Sequence, residues 1–100
     1  MADQIADEIT DKITDNRAAG SLELAVGDQI VFALYRREGP RLVIRHVEAP
    51  LNLRGTGAAS RLMHGIVALA ARDGLRVVPL CSYAAAWLRK HPEARRVAAD

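Results

Sequence analysis

Cysteine, aromatic residues and long apolar runs are all scarce in this chain, and each shortage closes off a class of function. A single cysteine, Cys81, leaves no partner for an internal disulfide and excludes a metal site built on several thiolates. The four aromatic residues, Phe32, Tyr35, Tyr83 and Trp87, are too few for a surface that stacks successive nucleic-acid bases. No apolar stretch approaches the ~20 residues of a membrane span. The opening segment, MADQIADEITDKITD, is acidic and has neither a basic start nor an apolar core, so it does not read as a secretory signal. The expectation is a cytoplasmic protein with no membrane and no nucleic-acid partner, present as a monomer or weak dimer.

Half of the 100 residues are apolar, enough for one domain around one core. Charge is unevenly placed. Residues 1–35 hold seven acidic against two basic side chains, a net of −5. Residues 36–100 hold twelve basic against five acidic, a net of +7. The basic part suits an anionic ligand with several phosphates; the alternative is that its arginines merely solvate a small domain.

Ile5, Ile9 and Ile13 recur every four residues among acids, which fits a short amphipathic helix or a tail over residues 1–12. A domain over residues 13–95 and a second tail over 96–100 complete the expected organisation. Leu22, Leu24 and Val26 alternate as in a half-buried strand, and Gly27-Asp28 reads as a tight turn. Ile30 to Arg36 predicts a second strand, Glu38-Gly39-Pro40 a turn, and Arg41 to Ala49 a third strand ended by Pro50. Strict alternation puts Leu42, Ile44, His46 and Glu48 on one face of that strand and Val43, Arg45 and Val47 on the other. A helix follows over Ser60 to Arg72, closed by Asp73-Gly74. Leu75 to Leu80 is apolar except for Arg76, as in a central strand, and Ser82 can cap a last helix over Tyr83 to Lys90. The order β-β-β-α-β-α predicts an α+β fold with helices packed on a mostly antiparallel sheet.

Between the third strand and the first long helix lies Arg54-Gly55-Thr56-Gly57-Ala58-Ala59. Glycines before a helix N-terminus leave backbone N–H groups bare beside a partial positive charge, a seat for phosphate. A Walker loop would need Lys-Ser/Thr where Ala58, Ala59 and Ser60 stand. A dinucleotide fingerprint would need a carboxylate near the end of the next strand, and Leu75 to Cys81 has none. A plain tight turn remains the alternative on spacing alone.

The pattern Arg-x-x-Gly-x-Ala at Arg54, Gly57 and Ala59 resembles the acetyl-CoA pyrophosphate loop of the GNAT superfamily of N-acetyltransferases. The resemblance extends to Ile44–Pro50, to Val77–Tyr83 and to His91-Pro92, over roughly residues 13–95, and points to the very small single-domain members. It implies a GNAT-like acyl-CoA N-acyltransferase fold whose sheet splays open to admit acetyl-CoA, the co-substrate, with no metal. It implies that Arg54, Gly55, Thr56, Gly57, Ala58, Ala59 and Ser60 bind the cofactor, the first with its guanidinium and the last with its hydroxyl. It also implies acetyl transfer to an amine.

For the proton, His46 and Glu48 are the candidate bases, since an imidazole titrates near neutrality; the alternative is a hydrogen-bonded sheet histidine. Cys81 ends a strand and precedes a helix N-terminus, so it can take an acetyl group, line the thioester pocket or simply fill space. The tyrosine that many GNAT enzymes carry on the last helix has no counterpart where Trp87 and Leu88 stand, and Tyr83 lies a turn early. The helices that build the acceptor site in GNAT enzymes are missing too, since only Gly27-Asp28 separates the first two strands. The acceptor is therefore expected to be an amine on a protein, peptide or other large molecule. The other reading is a non-catalytic acyl-CoA-binding or protein-interaction module.

Overall fold

The computed structural model describes residues 12–99. One sheet holds β1 (Thr14–Asn16), β2 (Ser21–Val26), β3 (Gln29–Glu38), β4 (Arg41–Glu48) and β5 (Arg76–Pro79), side by side in chain order. Two-residue turns join β2 to β3 and β3 to β4, pairing Val26 with Gln29 and Glu38 with Arg41. These neighbours are antiparallel. β4 and β5 are parallel, and the crossover that parallel strands require is helix α1 (Ala58–Asp73). Helix α2 (Ser82–Lys90) and a 3-10 turn over Pro92–Val97 follow.

The core lies between α1 and one face of the sheet. Leu22, Leu24, Val31, Ala33, Leu42 and Ile44 meet Leu62, Met63 and Ile66 of α1, together with Trp87 and Leu88 of α2, in one buried cluster. The helix residues recur at spacings of three and four, the stripe a helix needs to bury one side. None of the described helices is long and apolar enough to cross a membrane.

Four features differ from the sequence reading. The element order gains a strand, β1, so it is β-β-β-β-α-β-α. Asp and Asn are weak strand formers, and only Thr14 favours a strand. Here their pairing with Glu23, Leu22 and Ser21 and the hydrogen bond from the Tyr35 hydroxyl to Asp15 hold them. β5 is the last full strand rather than a central one. Beyond it comes only a single bridge from Val77 to Ala98, and its apolar sequence reflects cover by α1. The cap of α2 is Cys81, whose Sγ accepts from the Ala84 N–H at 3.3 Å, in place of Ser82. The expected tail over 96–100 is packed chain as far as it is described: Val97 is buried, and the Ala99 N–H donates to the Val77 carbonyl at 2.8 Å. Ile5 and Ile9 fall outside the described residues, while Ile13 packs on the core just before β1.

Candidate functional site

The site begins with a fault in β4. Leu34 pairs with His46 and Tyr35 with Ile44, so Arg45 is an extra residue with no partner on β3. Such a bulge reverses the alternation beyond it. Paired residues share a face, so His46 and Glu48 lie with Leu34 and Phe32 on the outer side, away from α1, and Val47 joins the inner side with Ala33. The sequence reading put His46 and Glu48 on the face of Leu42 and Ile44; the bulge moves them to the other one.

β4 and β5 also part company here. Their register ends at Ile44 and Pro79, and the last bond runs from the Leu80 N–H to the Ile44 carbonyl at 2.9 Å. β4 continues to Glu48 with β3 as its strand partner while β5 has ended. The gap opens into a cleft of about 510 Å³. Its walls are the end of β4 from His46 to Ala49, the loop residues Leu53, Arg54, Gly55 and Gly57, the start of α1 from Ala58 to Ser60, and Tyr83.

Local bonds shape the loop. A 3-10 turn, Leu51–Leu53, leads into it, and the Thr56 N–H and hydroxyl both donate to the Leu53 carbonyl. Thr56 is thus spent on the loop itself and does not line the cleft. Gly55 and Gly57 have φ of 81° and 87°, left-handed values that favour glycine. A Cβ at either position would meet nothing within 4 Å, so backbone angle accounts for both glycines. The first helical bond of α1 is from the Arg61 N–H to the Gly57 carbonyl, and no side chain caps this helix end. The N–H groups of Ala58, Ala59 and Ser60 precede that bond and form the positive end of the helix dipole. Arg54 reaches back to the Ala49 carbonyl at 3.4 Å, which holds its guanidinium at the rim. The Ser60 hydroxyl accepts from the buried Trp87 indole N–H at 2.8 Å, so its own proton remains for another acceptor.

His46 Nε2 and Glu48 Oε1 are 3.0 Å apart, and both side chains are about half exposed. Cys81 is half-buried against the core, its sulfur accepts at the α2 cap, and it is absent from the cleft wall. Its place there is taken by Tyr83, a residue the sequence reading set aside. Tyr83 is 40% exposed; partial burial, and secondarily neighbouring Cys81, raise its phenol above the usual range. Val47, Ala49 and Leu53 were also missed as wall residues. The only signal for them was their closeness in sequence to His46 and Arg54. Among the described residues, no three His, Cys, Asp or Glu side chains gather to hold a metal ion.

The sheet splays between a bulged strand and its parallel neighbour, beside an uncapped helix end entered through two left-handed glycines. A comparison with curated proteins finds none that matches the chain. A sequence model of the GCN5-related N-acetyl-transferases matches residues 21–97, which takes in β2 through the Pro92–Val97 turn and every wall of the cleft, and the chain belongs to that family.

Proposed function

We propose that the chain binds acetyl-CoA in this cleft and transfers its acetyl group to a primary amine. The observation that carries the reading is the uncapped start of α1 at the mouth of the splay. Its three unengaged N–H groups, the Ser60 hydroxyl and the rim guanidinium of Arg54 form one anion-binding surface. These groups suit a pyrophosphate, which brings two negative charges and several acceptor oxygens. The pantetheine arm then follows the strand edge of β4 that β5 leaves bare, and the thioester comes to rest near His46.

The residues of the cleft supply the rest of the chemistry. Positioning accounts for much of the rate, because a thioester is already an activated acyl donor. The amine nitrogen attacks the thioester carbonyl carbon; the C–N bond forms as the C–S bond breaks. His46 accepts the proton that the nitrogen loses, and the Glu48 carboxylate steadies the imidazolium. The departing sulfur takes a proton from the Tyr83 phenol on the cleft wall, a group protonated at neutral pH. Cys81 serves as a helix cap in this scheme and carries no acetyl group.

Calorimetry with acetyl-CoA tests the cofactor: binding in the micromolar range is expected, and no heat at high micromolar ligand overturns the reading. Arg54→Glu, which puts a carboxylate at the rim, should weaken binding at least tenfold, about 1.4 kcal/mol. Thiol release with a panel of amines tests turnover. His46→Ala and Tyr83→Phe should each slow it while leaving acetyl-CoA affinity unchanged. A second reading, acyl-CoA binding without turnover, is favoured by the two-residue turn between β2 and β3, which carries no helix that could hold an acceptor. It holds if acetyl-CoA binds and no amine releases thiol faster than buffer.

A further inference from the structure

The chain leaves β4 without a ladder to hold it. Pro50 has no N–H to donate, and residues 50–57 belong to no strand. Their backbone bonds are local. The Leu53 N–H donates to the Pro50 carbonyl at 2.9 Å, the Arg54 N–H to the Leu51 carbonyl at 3.3 Å, and the Thr56 N–H to the Leu53 carbonyl at 3.2 Å. The Arg54 side chain turns back to Ala49. Such bonds give the loop its shape, and all of them would survive if the segment swung as a body. Leu53 rests against the core, an apolar contact with no direction of its own.

A pair of side chains reaches from the loop to β3. Gln29 Nε2 donates to Asn52 Oδ1 at 2.8 Å, and Asn52 Nδ2 donates back to Gln29 Oε1 at 2.9 Å. The register explains the meeting. Phe32 pairs with Glu48, Ala33 with Val47 and Leu34 with His46. Carried past Glu48, the same register brings Gln29 beside Leu51, next to Asn52. Gln29 is the first residue of β3 and is itself fixed by its pairing with Val26 across the two-residue turn. The two amides therefore stand where the ladder would have run on. Each uses a donor and an acceptor at once, and two antiparallel bonds fix orientation as well as distance.

We propose that Gln29 and Asn52 are positioning residues for the cofactor loop. Their paired amides lock the Leu51–Leu53 turn against the start of β3, and so hold Leu53, Arg54 and Gly55 at the cleft wall before a ligand arrives. Neither amide lines the cleft, so both act through the loop. A loop already in place does not have to be ordered on binding, and that ordering cost no longer subtracts from affinity. The inference rests on the acetyl-CoA reading for the identity of the ligand.

The test uses the full chain, Gln29→Ala, Asn52→Ala and the double variant, with two readouts. Asn52 is exposed and Gln29 half-buried at the end of its strand, so neither change opens the core. Amide hydrogen exchange needs no ligand. The N–H groups of Leu53, Arg54 and Thr56 should exchange several times faster in each variant, while those in the middle of α1 keep the native rate. Calorimetry with acetyl-CoA should show Kd raised about threefold to tenfold in either single variant. The double variant should bind no more weakly than the weaker single, because the pair is lost only once. In turnover the loss should fall on the acetyl-CoA KM and spare kcat. Additive losses in the double variant overturn the proposal, as do exchange rates or a Kd that neither variant moves. If the native chain gives no heat with acetyl-CoA, the cofactor reading fails, and the exchange comparison still decides whether the amide pair holds the loop.

Discussion

Gly57 carries the angle on which the uncapped end of α1 depends. Its φ of 87° turns the loop into α1, whose first three residues line the cleft. Gly57→Ala meets open space rather than a clash, so its cost is the left-handed strain alone, ~1–2 kcal/mol. In a domain of this size each kcal/mol lowers the thermal midpoint by roughly 4–8 °C, which a melting curve resolves. Tyr35 makes a different prediction. Burial first, then its hydrogen bond to Asp15, raises the phenol above the ordinary tyrosine range. A raised phenol binds its proton more tightly when folded. The stability it contributes is therefore complete below the unfolded value and drains away as pH climbs through the folded one. Tyr83 is raised in the same direction. Unfolding titrations should show stability falling above pH ~10, with Tyr35→Phe flattening that fall.

At the scale of elements, the segment after α2 offers the sharpest check. Val97→Ala removes two methylene equivalents from a buried position and should cost ~1.5 kcal/mol in denaturant unfolding, whereas exposed Arg95→Ala should stay within about 0.5. A free tail would answer to neither. The sequence pointed to a tail because Arg95 and Arg96 dominate it; the buried pair Ala94 and Val97 are three apart, the eclipsed spacing of a 3-10 turn, in a stretch too short to show a period. The strands and helices with clear periods were legible, and α1 and β4 lie within two residues of their expected bounds. The glycine loop was legible because its residue types follow from backbone demands. The bulge was not. Leu42 to Glu48 reads as continuous strand, and only the register imposed by β3 reveals that Arg45 is surplus. The faces of His46 and Glu48 were misread for that reason alone. The cap at α2 was misread because Ser is the better capping residue in general, while here the sulfur one position earlier meets the Ala84 N–H.

For the whole molecule, the bulge in β4 divides the site between the two faces of the sheet. The inner side carries α1 and the core, with the cleft at its end. Beyond the bulge, His46 and Glu48 stand on the outer side. Trp87 links the core to the cleft. It is the one tryptophan in the chain, it is buried, and its indole N–H ends on the Ser60 hydroxyl at the start of α1. A ligand that takes the proton of that hydroxyl polarises the oxygen on which the indole hydrogen bond ends. Intrinsic emission, excited at the indole band, should therefore shift as acetyl-CoA is added to the unlabelled protein, and Ser60→Ala should abolish the shift. The molecule carries its own optical gauge of loading.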